Sequence, residues 1–269
     1  NGCVALVLSE HHAVDDGYLP SPMVMAAAMA ARTTTTPIMI AAALLPFYEP
    51  VRLAEDMSVL HHLSNGRVSY VFGLGYRPDE FALFGLDMRA RARIADTKLE
   101  QLLDALERVT PRAEPRPAIS WGGGTPAAAR RAARFGLDFL AQTDGDDLGA
   151  AYRDECAQQG REPGNCMLAN PDDPVTVFVH DDLDTAWDEL GPYLLHDARS
   201  YSSWNVNPRV ASISRGETVD ALRKENGAHR IMTSADAKAR GFLPLHPLCG
   251  GVPPEMAWPY LERAAAAFR

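Results

Sequence analysis

The stretch Val4-Ala5-Leu6-Val7-Leu8-Ser9-Glu10-His11-His12 decides the reading of the fold. Its first five residues are all apolar, too short a run for an ordinary helix but suited to a strand buried on both faces, as in a parallel sheet covered by helices. A carboxylate and two imidazoles follow, then the turn-forming Asp15-Asp16-Gly17. Parallel α/β folds carry their chemistry at the C-terminal ends of their strands, so this end is a candidate site. A histidine there can donate or accept a proton near neutral pH, and a neighbouring glutamate can fix its tautomer. The competing structural reading is that the pair caps a strand. Consecutive residues of an extended chain point to opposite sides, so at most one of His11 and His12 faces a ligand directly.

Working outward, strands and helices follow one another in short order, with no internal repeat of sequence. Ser21-Pro22 starts a helix over Met23 to Arg32, Thr36 to Leu45 is a buried strand, and the helix after Pro50 has Val51, Leu53, Met57, Leu60 and Leu63 at helical spacing before Asn65-Gly66 ends it. Val68 to Phe72 is a strand, Ile94 to Val109 a helix, Ala118 to Trp121 a strand, Ala127 to Phe135 a helix, Asp138 to Gln142 a strand and Asp147 to Gln159 a helix. Val175 to Val179 and Phe242 to Leu245 are expected strands. Asp182 to Tyr201, Thr218 to Glu225, Ser234 to Ala239 and Pro254 to Ala267 are expected helices. Alternating strands and helices argue for βα units around a parallel sheet, and 269 residues suit one α/β barrel domain spanning the whole chain.

Composition removes other classes. With 26 basic and 35 acidic residues the net charge is -9, and no basic stripe interrupts it, so nucleic acid is not an expected partner. No apolar run has the ~20 residues of a membrane helix, and no signal peptide opens the chain, so a cytoplasmic protein is expected. The four cysteines, Cys3, Cys156, Cys166 and Cys249, are scattered, which fits free thiols in a reducing compartment. His61 and His62 lie on the helix after Pro50, one packed and one solvated. His180, His196, His229 and His246 have no partners at metal-ligand spacing, and no metal site is expected.

Two further strand ends carry chemistry. Gly122-Gly123-Gly124-Thr125 lies between a strand and a helix, where bare backbone N–H groups and the helix dipole suit a phosphate and Thr125 adds a hydroxyl. A flexible turn is the alternative. Gly73-Leu74-Gly75 also ends a strand and would let a flat ligand approach the backbone. A barrel collects such ends on one rim.

Together, Glu10-His11-His12, the run Pro46 to Asp56 with Pro50-Val51-Arg52-Leu53-Ala54-Glu55-Asp56, Leu63-Ser64 with Gly66-Arg67, Gly75-Tyr76-Arg77-Pro78 with Glu80-Phe81, and Pro247-Leu248 with Gly250-Gly251 and Pro253-Pro254 resemble the bacterial-luciferase-like flavin oxidoreductases. The resemblance runs over nearly the whole chain. It implies a (β/α)8 TIM barrel, without the first βα unit and one insertion loop of the family pattern, and a rim that binds FMN or, in a sister group, the deazaflavin coenzyme F-420. It implies that His11 stands beside the reactive edge of the ring as the catalytic residue. Ala41-Ala42 matches a pair joined by a non-proline cis peptide under the ring, and Gly123, Gly124 and Thr125 match the loop that holds the phosphate. Glu10, His12, Gly73, Gly75, Tyr76, Gly122 and Gln142 complete the expected cofactor site. Arg77 is a candidate for the phosphate-holding arginine that the family carries elsewhere.

The implied activity is a monooxygenase that receives reduced FMN, from a separate flavin reductase or otherwise, and oxidises a small organic substrate. A deazaflavin-dependent hydride-transfer enzyme and a non-catalytic flavin-binding paralogue are the alternatives. A homodimer through the helices Met23 to Arg32 and Val51 to Leu63 is expected.

Overall fold

The computed structural model describes residues 2–205, 210 and 213–269. Its contacts divide the chain into two compact units, Cys3–Leu168 and a second made chiefly of Ala169–Arg269.

The larger unit is a parallel sheet whose strands follow chain order, β1 (Leu6–Leu8), β2 (Ile38–Leu44), β3 (Val68–Gly73), β4 (Ile119–Gly123), β5 (Asp138–Ala141) and β6 (Cys166–Met167). Between them come α1 (Pro22–Arg32), α2 (Pro50–Ser64), α3 (Pro78–Leu83), α4 (Arg91–Leu106), α5 (Pro126–Arg134) and α6 (Asp146–Gln158). Proline in the first turn opens α1, α2, α3 and α5, where its missing N–H has no helical partner to lose. The Glu49 carboxylate caps α2 by accepting from the Arg52 N–H, and Asn65 ends it at φ 55°. One core joins sheet and helices, with Ile38, Ile40, Tyr70, Phe72, Trp121 and Phe139 meeting Leu53 and Met57 of α2, Leu99 and Leu102 of α4, and the alanines of α5.

The smaller unit pairs β7 (Thr176–Val179) with β8 (His229–Met232), again in parallel. Around the pair are α7 (Leu183–Trp204), α8 (Val219–Glu225), α9 (Ser234–Arg240) and α10 (Pro254–Ala266). Phe178 and Ile231 pack with Trp187, Leu190 and Leu194 of α7 and with Tyr260 of α10. The described residues therefore hold a six-stranded parallel sheet in one unit and a parallel pair in the other, with helices after most strands, the βα order of the expected α/β class. No helix among them is long and apolar enough to cross a membrane.

Several local expectations change. Val7 is 61% exposed, so β1 is not buried on both faces; an apolar run shows that each position tolerates burial, not that each face receives a helix. Phe242 to Leu245 forms no strand. Pro244 and Pro247 remove ladder donors there, although the Pro244 carbonyl accepts from the Val177 N–H at 2.9 Å. β8 was hidden because His229 and Arg230 break its apolar pattern, yet His229 and Ile231 do point inward. The short α3 was also missed, although Pro78 and the acidic first turn Asp79-Glu80 mark its start.

Candidate functional site

Because β1 to β5 are parallel neighbours, their C-terminal ends share one edge of the sheet. The loop after β1 is tied to the loop after β3 by Glu80, whose burial in α3 is complete. Its Oε1 meets His11 Nδ1 at 2.8 Å, accepts the His12 backbone N–H at 3.0 Å and faces Arg77 Nη1 at 3.3 Å. Burial alone would raise the Glu80 pKa, but the hydrogen bond and charge from His11, the His12 N–H and Arg77 outweigh it and hold this carboxyl below its ordinary range. Glu80 is therefore ionised at neutral pH and acts only as an acceptor, which places a proton on His11 Nδ1; His11 Nε2, on the other side of the ring, is hydrogen-bonded to the Tyr76 hydroxyl at 2.9 Å. The edges of Tyr18 and Tyr76 flank the His11 ring, at centroid distances of 4.9 and 5.4 Å.

His12 has a different environment. Its Nε2 meets Glu10 Oε1 at 2.8 Å, and its ring stands edge-on to Phe47 and Phe84. Glu10 Oε2 accepts from the Leu44 N–H at 3.0 Å and from the Tyr48 hydroxyl at 2.7 Å, which fastens the β1 loop to the end of β2. Burial and the Glu10 carboxylate push the Tyr48 phenol far above its ordinary pKa, so it remains a donor. Glu10 and His12 thus hold the loop, while His11 points to the Tyr76 hydroxyl.

Arg77 is buried, and its guanidinium donates to the carbonyls of His12, at 2.6 Å, and Ala13, at 3.4 Å, besides meeting Glu80. Those contacts make it a brace of the histidine loop. The Ala41–Ala42 peptide is cis, and the β2–β3 register shifts between Ala41 and Ala43. Gly73 lies against this pair: a Cβ on it would touch the Ala42 Cβ at 3.4 Å, and one on Gly75, at φ 73°, would press on Phe81 at 3.2 Å.

The glycine loop occupies the ends of β4 and β5. Gly123 pairs with Ala141, the Gln142 N–H donates to the Gly123 carbonyl, and Gln142 itself is exposed. Thr125 is the cap of α5, its hydroxyl oxygen accepting from the Ala128 N–H at 3.2 Å. Beneath Gly124 sits Thr143, fully buried, whose hydroxyl has no hydrogen-bond partner. A Cβ on Gly124 would fall 2.8 Å from the Thr143 methyl carbon. A side-chain-free backbone next to an orphaned hydroxyl and a helix start fits an anion such as the FMN phosphate.

Sequence reading missed Thr143, Tyr18 and Tyr48, which carry no motif, and quoted Glu80 without a role. Of the remaining histidines, His61 is buried and His62 exposed, as expected. His229 departs from expectation: its Nε2 lies 2.8 Å from Asp197 Oδ2, and Asp197, His229 and Cys249 bring ligand atoms within 4.8 Å of one another.

Comparison with known proteins agrees with this architecture. Monooxygenase RslO1 from Streptomyces bottropensis superposes with a TM-score of 0.69 at 23% identity, covering 98% of this chain and 87% of that one. The oxygenating constituent of 3,6-diketocamphane monooxygenase from the CAM plasmid of Pseudomonas putida, a type II Baeyer-Villiger monooxygenase in complex with FMN, gives 0.60 at 16%, covering 96% and 86%. An F420-dependent secondary alcohol dehydrogenase in complex with an F420-acetone adduct gives 0.63 at 13%, covering 98% and 82%. At these identities the likeness establishes the fold. The curated relatives are matched over less than a third of their own length, 28% and 31% in two of them. The sequence profile of the luciferase-like monooxygenases matches residues 1–241, and the chain belongs to that family.

Proposed function

We propose that the chain is a flavin-dependent monooxygenase that uses reduced FMN and dioxygen to oxidise a small organic substrate, the reduced flavin arriving from a separate reductase. The observation that carries this reading is the line from Tyr76 through His11 to Glu80, ending at the sheet edge that also carries the glycine loop. Bound reduced FMN would supply the two electrons that turn one atom of dioxygen into water while the other enters the substrate.

Gly122, Gly123, Gly124 and Thr125 would hold the phosphate, with the Thr143 hydroxyl as a further donor. Ala41, Ala42, Gly73 and Gly75 would lie against the ring, where their small side chains leave room. His11 keeps one proton at Nδ1 under the Glu80 carboxylate and can accept another at Nε2, the position that now receives the Tyr76 hydroxyl. The rings of Tyr18, Phe47 and Phe84 around the two histidines keep water from their nitrogens.

A deazaflavin hydride-transfer enzyme is the second reading. The F420-dependent neighbour supports it, since it superposes as well as the FMN-bound one. The deciding experiment is the absorption spectrum and mass of the co-purifying small molecule, followed by titration with FMN and F420. Tight FMN binding with oxygen uptake on adding reduced FMN supports the monooxygenase. Tight F420 binding without oxygen uptake replaces it with the second reading, and binding of neither removes both.

We also propose a homodimer through α1 and α2, on which Val24, Met25, Val51, Val59 and Leu63 are exposed.

A further inference from the structure

The smaller unit contains a cluster that the proposed flavin chemistry does not use. Asp197 comes from α7, His229 from the start of β8 and Cys249 from the short 3₁₀ turn Cys249–Gly251. All three side chains are buried, and one ligand atom of each lies within 4.8 Å of the other two. Asp197 Oδ2 and His229 Nε2 are 2.8 Å apart.

Two observations separate this cluster from an ordinary buried ion pair. The His229 Nδ1 is buried without a hydrogen-bond partner, so one imidazole nitrogen has an unmet need. The turn carrying Cys249 is also seated against α7 by its backbone: Gly250 sits at φ 60°, and a Cβ there would overlap the Tyr193 carbonyl and touch the Asp197 Cβ at 3.4 Å. Only glycine lets the turn come so near, and its approach sets Cys249 beside Asp197.

We propose that Asp197, His229 and Cys249 form a site for one divalent cation of the zinc class. One carboxylate oxygen, one imidazole nitrogen and one sulfur are the donor types that Zn2+ and Co2+ accept together, whereas Mg2+ and Ca2+ take oxygen alone. Binding displaces the thiol proton to solvent, forms a metal–thiolate bond and uses the imidazole neutral. A fourth position remains for water or for the second Asp197 oxygen. Because the donors come from α7, β8 and the 3₁₀ turn, the ion would cross-link the core of this unit.

The test is titration of the intact, chelator-treated chain with Co2+, with long incubation because the site is buried. The proposal expects one Co2+ per chain, a near-ultraviolet thiolate-to-cobalt band, and loss of the band on adding Zn2+. Cys249→Ser should abolish the band, Cys3→Ser should keep it, and Asp197→Asn should weaken binding about ten-fold or more. Absence of a thiolate band in the parent chain overturns the site, and so does a band that survives in Cys249→Ser. Should the variants fail to fold, the parent titration alone decides, since a hydrogen-bonded Asp–His pair with a bystander thiol gives no such band.

Discussion

Around His11, charged and aromatic side chains converge within hydrogen-bond reach, whereas at Gly122, Gly123, Gly124 and Thr125 the chain offers nothing larger than a threonine. The histidine end of the sheet edge is built of paired groups: Glu10, His11, His12, Tyr76, Arg77 and Glu80 hold one another's protons and carbonyls in fixed places. The glycine end is built of backbone, with one buried hydroxyl at Thr143 left over. The first arrangement suits proton handling, since it fixes a tautomer before any ligand arrives; the second suits holding a ligand, since it leaves donors to be used. The proposed site therefore separates chemistry from binding, and each end can be broken alone.

The largest effect is expected from His11→Asn. The variant should bind FMN as the parent does while its single-turnover rate falls by about 10²- to 10⁴-fold, roughly 3 to 5 kcal/mol of barrier. Cofactor titration and stopped-flow measurement on the same preparation check this, and an unchanged rate would remove His11 from the chemistry. His12→Asn should lose stability more than rate.

Glu80→Gln tests the brace. It keeps an acceptor near His11 but removes the buried charge that faces Arg77 Nη1 and His11, and about 3 kcal/mol of stability should be lost, read from denaturant midpoints at neutral pH. The sign with pH follows from the lowered Glu80 pKa. A carboxyl held below its ordinary value of 4.5 contributes stability that is fully present above that value and lost as pH falls through the folded pKa. The parent should therefore lose stability faster than Glu80→Gln below about pH 4.5, narrowing the gap between them. Parallel pH curves would contradict the assignment.

The glycine end should respond in binding. A side chain on Gly123 is a blunt probe, because its Cβ alone would lie 2.7 Å from the Ala128 Cβ. Even so, Gly123→Leu should weaken FMN binding ten-fold or more, at least ~1.4 kcal/mol. Thr143→Val is the cleaner variant: it keeps the shape and removes the orphaned hydroxyl, so FMN affinity should fall about ten-fold while the ligand-free protein becomes no less stable. Unchanged affinity in Thr143→Val would take that hydroxyl out of the cofactor site.

The smallest effect concerns association. Met25→Glu places a charge on the exposed face of α1 and should shift the proposed dimer toward monomer in light scattering, with little change in FMN affinity. A parent chain that is already monomeric at working concentration would refute the dimer.

Much of this site could be seen in the amino-acid order. The apolar run ending in Glu10-His11-His12 marked a strand end, the prolines marked helix starts, Asn65 marked a stop, and the glycine loop stood between a strand and a helix where the structure has it. These features are legible because periodicity, capping and turn chemistry act over a few residues, and any chain segment carries them whatever its neighbours. The family resemblance extended the reading to the cis peptide at Ala41–Ala42. Tertiary structure alone joined His11 to Glu80 across 69 positions, Glu10 to Tyr48 across 38 and His229 to Asp197 across 32. It also left Val7 in solvent, buried Thr143 under Gly124 and turned Arg77 into a brace of the histidine loop. Such contacts depend on which strand ends become neighbours and on the rotation of each helix against the sheet. The long-range packing of the core sets both, and no local pattern records it.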